Sequence, residues 1–272
     1  MPIVFAACVS HAPGVTAWTE QAPAAQKDAI FAGYARIAAD LAESGAESVV
    51  IFTSEHWTNF FYDHMPAFCI GRADHYDGPV EPWLRVPKTR VPGNPGLSTA
   101  LLSALYADGI DPSYSEELAL DHGTMVPVHF LLSDNIRPIV PIVLNTLAEP
   151  MPSSESCFRF GEAVGAALAA TPEKVAVIAT GGLSHAPGER THGVIDTDFD
   201  AEFMKNMADG NHDALRTLSH ERMAAAGGGA HEVRAWIALS GAVRNWTGTP
   251  IAYEAVKPWA TGFGLMEFHP AA

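Results

Sequence analysis

Ile3-Val4-Phe5-Ala6-Ala7-Cys8-Val9-Ser10-His11-Ala12-Pro13-Gly14 is seven apolar residues ending in a histidine and a turn that proline fixes. So short and uniform a run reads as a strand buried on both faces, as in parallel sheets. Its last five residues recur as Ser184-His185-Ala186-Pro187-Gly188, after a second apolar run at Val175–Ala179. A third run, Val49–Thr53, leads into Ser54-Glu55-His56. Histidines beyond the carboxyl ends of buried strands stand where open α/β sheets place their chemistry. Three in one sheet point to a metal or acid–base site.

Outward from these runs, strand-like and helix-like segments alternate. Gln21–Ser44 is alanine-rich, with Ile30, Tyr34, Ile37 and Leu41 at three- and four-residue spacings, and predicts a helix. Helices are also expected at Leu97–Asp108, Ser156–Ala170, Asp196–Ala208, Asp213–Leu218 and His231–Asn245. Further strands are expected at Arg137–Asn145, interrupted by Pro138 and Pro141, and at Ile251–Val256 and Thr261–Phe268. Trp57–Gly96 is too long for an ordinary connection and reads as a functional excursion with some strand of its own. No linker or composition break divides the chain. The expectation is α/β: one domain over 1–272, a sandwich with a central mixed sheet flanked by helices. Any metal site would lie at the strand C-terminal ends.

Hydrophobic residues make up 48% of the 272, enough for a substantial core. Sixteen basic against thirty-one acidic side chains give a formal charge of −15, which argues against a nucleic-acid partner. No apolar run approaches the length of a membrane span, and Met1–Val9, lacking a basic flank, reads as core strand rather than export signal. Cys8, Cys69 and Cys157 are odd in number and far apart, which fits buried packing residues in a reducing cytoplasm.

Among candidate ligands, His11 and His56 end adjacent-looking strands. Glu232 follows Gly227-Gly228-Gly229 and opens a helix. Two histidines and one carboxylate on one face of a metal leave the opposite positions open, the usual setting of non-haem Fe(II). Glu55 is a rival carboxylate and His231 a rival imidazole, although His231 points about 100° from Glu232 on a helix. His185 and His122, the latter in Asp121-His122-Gly123, are candidate acids or bases. Asp-His-Gly alone also describes a plain turn. The aromatics of Trp57–Tyr62 read as core or pocket wall. Arg234, Arg244 and Lys257 are possible carboxylate partners, but surface salt bridges account for them more simply.

Taken in order, Ser10-His11-Ala12-Pro13, Ser54-Glu55-His56, Asp121-His122-Gly123, Gly181-Gly182-Leu183-Ser184-His185 and Ala230-His231-Glu232 resemble the class III extradiol ring-cleavage dioxygenases. That superfamily includes the β subunit of protocatechuate 4,5-dioxygenase. Asn59–Gly71 and Trp259–Gly264 are similar to its 2,3-dihydroxyphenylpropionate-cleaving branch. The resemblance spans nearly the whole chain. It implies that His11, His56 and Glu232 ligate Fe(II), and that His122 and His185 are acid–base residues beside the metal. It further implies a small aromatic diol and O2 as substrates, a 2-hydroxymuconate-type product and a homo-oligomer. Two departures stand out: the chain is shorter than that branch between His185 and Glu232, and Glu55 replaces an aspartate.

The competing expectation is a zinc-dependent hydrolase using the same three ligands with bound water as nucleophile. A non-catalytic binding protein is a third, disfavoured because binding alone needs neither His122 nor His185.

Overall fold

The computed structural model describes residues 2–271; Met1 and Ala272, the ends of the domain expected from the sequence, lie outside the described residues. Three of the apolar runs form parallel neighbours: β1 (Ile3–Val9), β2 (Ser48–Ser54) and β8 (Val175–Thr180). β7 (Ile139–Leu144) joins β2 on its other side, also parallel. Every residue of β2, β7 and β8 is buried, as the apolar runs at their centres require. Each fully buried Val, Ile or Phe among them contributes roughly 1.5–3 kcal/mol.

Antiparallel strands complete the sheet, so the expected mixed sheet is present, with eight strands. β3 (Phe68–Gly71) pairs with β7 and carries the three-residue β6 (Ser113–Ser115) on its outer side. On the far side β10 (Thr261–Pro270) pairs with β1 and with β9 (Trp246–Val256), the last two running longer than the sequence suggested. The order is β6-β3-β7-β2-β8-β1-β10-β9. Pro141 does not interrupt β7: it lies mid-strand opposite Ile51, where β3 has ended its pairing at Ile142. A missing N–H costs little where no partner strand needs it.

Helices cover both faces. On one, α2 (Ala24–Glu43) buries Ile30, Tyr34, Ile37 and Leu41, the stripe expected of it, and packs on α4 (His122–Leu132). A single turn, α1 (Gly14–Ala17), precedes it. On the other face lie α3 (Pro95–Ala107), α5 (Ser154–Ala169) and α9 (Val233–Ala242). α6 (Thr197–Ala208), α7 (His212–Arg216) and α8 (His220–Ala225) follow β8. α5 and α9 touch backbone to backbone: a Cβ on Gly161 would lie 1.8 Å from the Ala238 carbonyl oxygen. This contact locks α9, and with it the chain just before it.

The excursion holds β3 and a hairpin of β4 (His75–Gly78) and β5 (Thr89–Pro92). α4 is absent from the sequence reading, which saw only a turn at Asp121-His122-Gly123. Its residues are apolar on nearly every side and include Pro127, so no 3.6-residue rhythm announces it. Asp121 is its cap, its side chain accepting the Gly123 N–H at 2.9 Å. The helix expected over His231–Asn245 is shorter; Glu232 ends a 3-10 turn, Gly228–Glu232, and α9 begins at Val233.

Candidate metal centre

Val9 pairs with Thr180, and Phe52 with Ala179, so β1, β8 and β2 end at one level. The chain runs on to His11 and to His56, and both rings stand above the carboxyl edge of the sheet. The two strands are not neighbours, as the sequence suggested, because β8 lies between them. It supplies Thr180, whose hydroxyl accepts from His11 Nδ1 and donates to Thr53 Oγ1, both at 3.0 Å.

Four imidazoles gather here, each held at Nδ1 by a protein acceptor. His11 uses Thr180, and His56 donates to Asp121 Oδ2 at 2.9 Å. His122 meets Glu81 Oε1 at 2.6 Å, and His185 the Leu183 carbonyl at 2.9 Å. A ring whose Nδ1 proton is engaged leaves Nε2 free for other work. The His122 ring lies 4.1 Å from that of His56 and 5.4 Å from that of His11, centre to centre.

Glu232 sits between the rings. Its Oε2 is 3.2 Å from His11 Nε2 and its Oε1 is 3.2 Å from His56 Nε2. His185 Nε2 stands 3.5 Å from the same Oε1, and the Gly182 N–H donates to Oε2. A side chain on Gly229 would begin 2.2 Å from His185 Nε2, so only glycine leaves that ring its place.

The field favours a cation. Burial would raise the Glu232 carboxyl, but the facing His185 and His11 outweigh it and hold it well below the carboxylate range. Burial likewise opposes ionisation of Asp121, yet His56 and its neighbours bring it to about 2. For His56, burial lowers the ring and Asp121 and Glu232 more than compensate, raising it well above its ordinary value. Burial takes His11 down to about 4, which keeps it neutral, the form in which imidazole ligates metals.

The donor set fits a metal ion. His11 Nε2 is buried and lacks a hydrogen-bond partner, with Glu232 Oε2 3.2 Å away. Bonds of about 2.1 Å place neighbouring donors about 3 Å apart, close to the two 3.2 Å separations. His11, His56 and His122 also offer nitrogens within 4.8 Å of one another, as do the donors of Glu81, Asp121 and His122.

The rivals point elsewhere. Glu55 is buried and accepts the Asn59 N–H at 2.9 Å, closing the turn after His56. His231 meets Arg234 Nη1 at 2.7 Å. Arg234 itself is buried rather than in a surface salt bridge, donating to the Pro152 carbonyl at 2.7 Å. Arg244 does form an exposed pair, with Glu162. Phe61 and Tyr62 are exposed, whereas Phe60 of the same aromatic cluster packs against the core. The cysteines are free and buried as expected.

The residues that hold the rings were not found from sequence. Thr180 could have been, as the polar residue that ends the apolar run of β8. Asp121 reads in the sequence as a turn former. Glu81 is forty-one residues from His122 and carried no signal.

An α/β sheet with this histidine–carboxylate cluster above its parallel strand ends defines a class of candidate metalloenzymes. Residues 5–264 match the family described as "Catalytic LigB subunit of aromatic ring-opening dioxygenase", and the chain belongs to that family. Among curated relatives, a 2,3-dihydroxyphenylpropionate/2,3-dihydroxicinnamic acid 1,2-dioxygenase of Photorhabdus laumondii is 27% identical, over 97% of this chain and 96% of the relative. One of the same name from Paraburkholderia xenovorans is 28% identical, over 100% of this chain and 99% of its own length. The crystal structure of an uncharacterized Escherichia coli K12 protein is similar in fold, with a TM-score of 0.67 at 14% identity. It covers 97% of this chain and 99% of its own. No helix of the described residues is long and apolar enough to cross a membrane.

Proposed function

We propose that the protein cleaves a substituted catechol outside its hydroxyl pair with O2, using Fe(II) held by His11, His56 and Glu232. The observation that carries this reading is the pair of 3.2 Å separations between Glu232 and the two inward Nε2 atoms. The relatives' names, which specify vicinal diols on substituted rings, support the substrate class.

When bound, ferrous iron supplies a chelation point for the two hydroxyls and the electrons that make O2 reactive. The protein's part is to hold and move protons. His185 takes the proton of a catechol hydroxyl at Nε2, since its Nδ1 is committed to Leu183. The same Nε2 gives that proton back as the ring opens, while His122, on the other flank, orients the reacting oxygens with its unprotonated Nε2. Thr180 and Asp121 keep the ligand rings from turning. Both oxygen atoms remain in a 2-hydroxymuconate-type product. In this reading the whole chain is one catalytic domain, working as a homo-oligomer in the reducing cytoplasm.

The test is anaerobic reconstitution with Fe(II), then O2 uptake and appearance of a yellow product across a panel of substituted catechols. Uptake matched to ring opening is expected. A zinc-loaded protein that hydrolyses esters or amides and consumes no O2 with any catechol sinks the proposal in favour of a hydrolase.

A further inference from the structure

Glu81 lies on the strap between β4 and β5, remote in sequence from every other site residue, yet it meets His122 twice. Its Oε1 accepts the His122 backbone N–H at 3.0 Å and faces His122 Nδ1 at 2.6 Å. We propose that Glu81 is the positioning residue of His122, keeping the ring proton on Nδ1 so that Nε2 alone faces the centre between His11 and His56. The role given to His122 rests on the reading above; the tautomer does not.

The strap is built to hold this contact. The Val80 N–H donates to the Leu120 carbonyl at 2.9 Å, and the Leu120 N–H to the Asp77 carbonyl at 3.0 Å. Two residues on, Trp83 stacks on Trp18 at 5.6 Å with planes 12° apart, and Leu84 is fully buried. Glu81 is therefore fixed from both sides. Burial would raise its carboxyl, but the His122 contacts outweigh that and lower it, so it is an acceptor only. Its second oxygen is buried with no protein partner, which packing alone gives no reason to retain. Glu81 thus does for His122 what Asp121 does for His56 and Thr180 for His11.

The experiment uses the full chain with 15N-labelled histidine and diamagnetic Zn(II) in place of iron. Long-range proton–nitrogen spectra of the wild type should show His122, assigned with His122→Gln, protonated at Nδ1. Glu81→Leu should move the proton wholly or partly to Nε2. In the iron form, the same variant should lose kcat about 10–100-fold while KM and metal content stay within twofold. Glu81→Gln, which keeps a carbonyl acceptor, should recover part of both signals, and it carries the test if the leucine variant does not fold. A His122 ring still protonated at Nδ1 without Glu81, or kcat within twofold of wild type, overturns the proposal. A wild type inactive on every catechol, with the tautomer moved by Glu81→Leu, sinks the functional reading and leaves the positioning role standing.

Discussion

Ser10–Gly14 and Ser184–Gly188 are the same five residues put to different use. In the first, His11 comes two residues after β1 and is 2% exposed, its Nε2 directed at Glu232. In the second, Gly181-Gly182-Leu183 intervenes between β8 and Ser184, and His185 stands partly exposed at 3.5 Å from the same carboxylate. Both serines fasten to one strand: the Gly264 N–H donates to Ser10 Oγ and the Gly262 N–H to the Ser184 carbonyl, each at 2.9 Å. The pentapeptide therefore sets a turn and its anchorage. Distance from the strand end sets whether its ring sits among the proposed ligands or beside them.

The largest effects should divide the two histidines. His11→Ala is expected to lose bound iron and all turnover, whereas His185→Ala should keep iron and lose about 10²–10⁴-fold in kcat. Metal analysis beside O2 uptake on both variants decides it, and loss of metal from His185→Ala would erase the distinction.

The supports of the rings should differ as well. His11 depends on a side chain, Thr180, and His185 on a backbone carbonyl. Thr180→Val should weaken iron binding about tenfold or more, measured by competition with a chelator, with secondary structure unchanged by circular dichroism.

The serines should show a smaller contrast. Ser184 N and Oγ reach Asp200, a buried carboxylate, at 2.7 and 2.8 Å, and Oγ also accepts the Asp196 N–H. Ser10 Oγ answers one backbone N–H. Urea unfolding should find Ser184→Ala destabilising by about 2 kcal/mol and Ser10→Ala by about 1 kcal/mol. Equal losses would mean the two anchors are equivalent.

The strand that anchors both copies should carry a modest pH dependence. Glu267 of β10 is buried, with one oxygen unpartnered. Burial first and Asp40 second raise its carboxyl to about 7, while Arg36 opposes them. A carboxyl raised in the fold favours the protonated form, so its stabilising share is full below about pH 4.5 and fades as pH rises through 7. Glu267→Gln should flatten the fall in Tm between pH 6 and 8 and stabilise the protein by about 1 kcal/mol at pH 8. A wild-type Tm that is level across this range contradicts the assignment.

Periodicity alone supports the parallel core, the stripe of α2 and the α/β class, because burial on both faces or on one writes itself into consecutive residues. The ordered histidine motifs point to the family in the same local way. Folding together decided what is not local: that β8 separates β1 from β2, that Glu232 rather than Glu55 meets both imidazoles, and that Arg234 is buried. It also decided which groups hold the rings. Thr180, Asp121 and Glu81 act across 169, 65 and 41 residues of chain. A hydrogen bond reaching so far leaves no spacing for a sequence to display, since only the packed sheet brings its ends together.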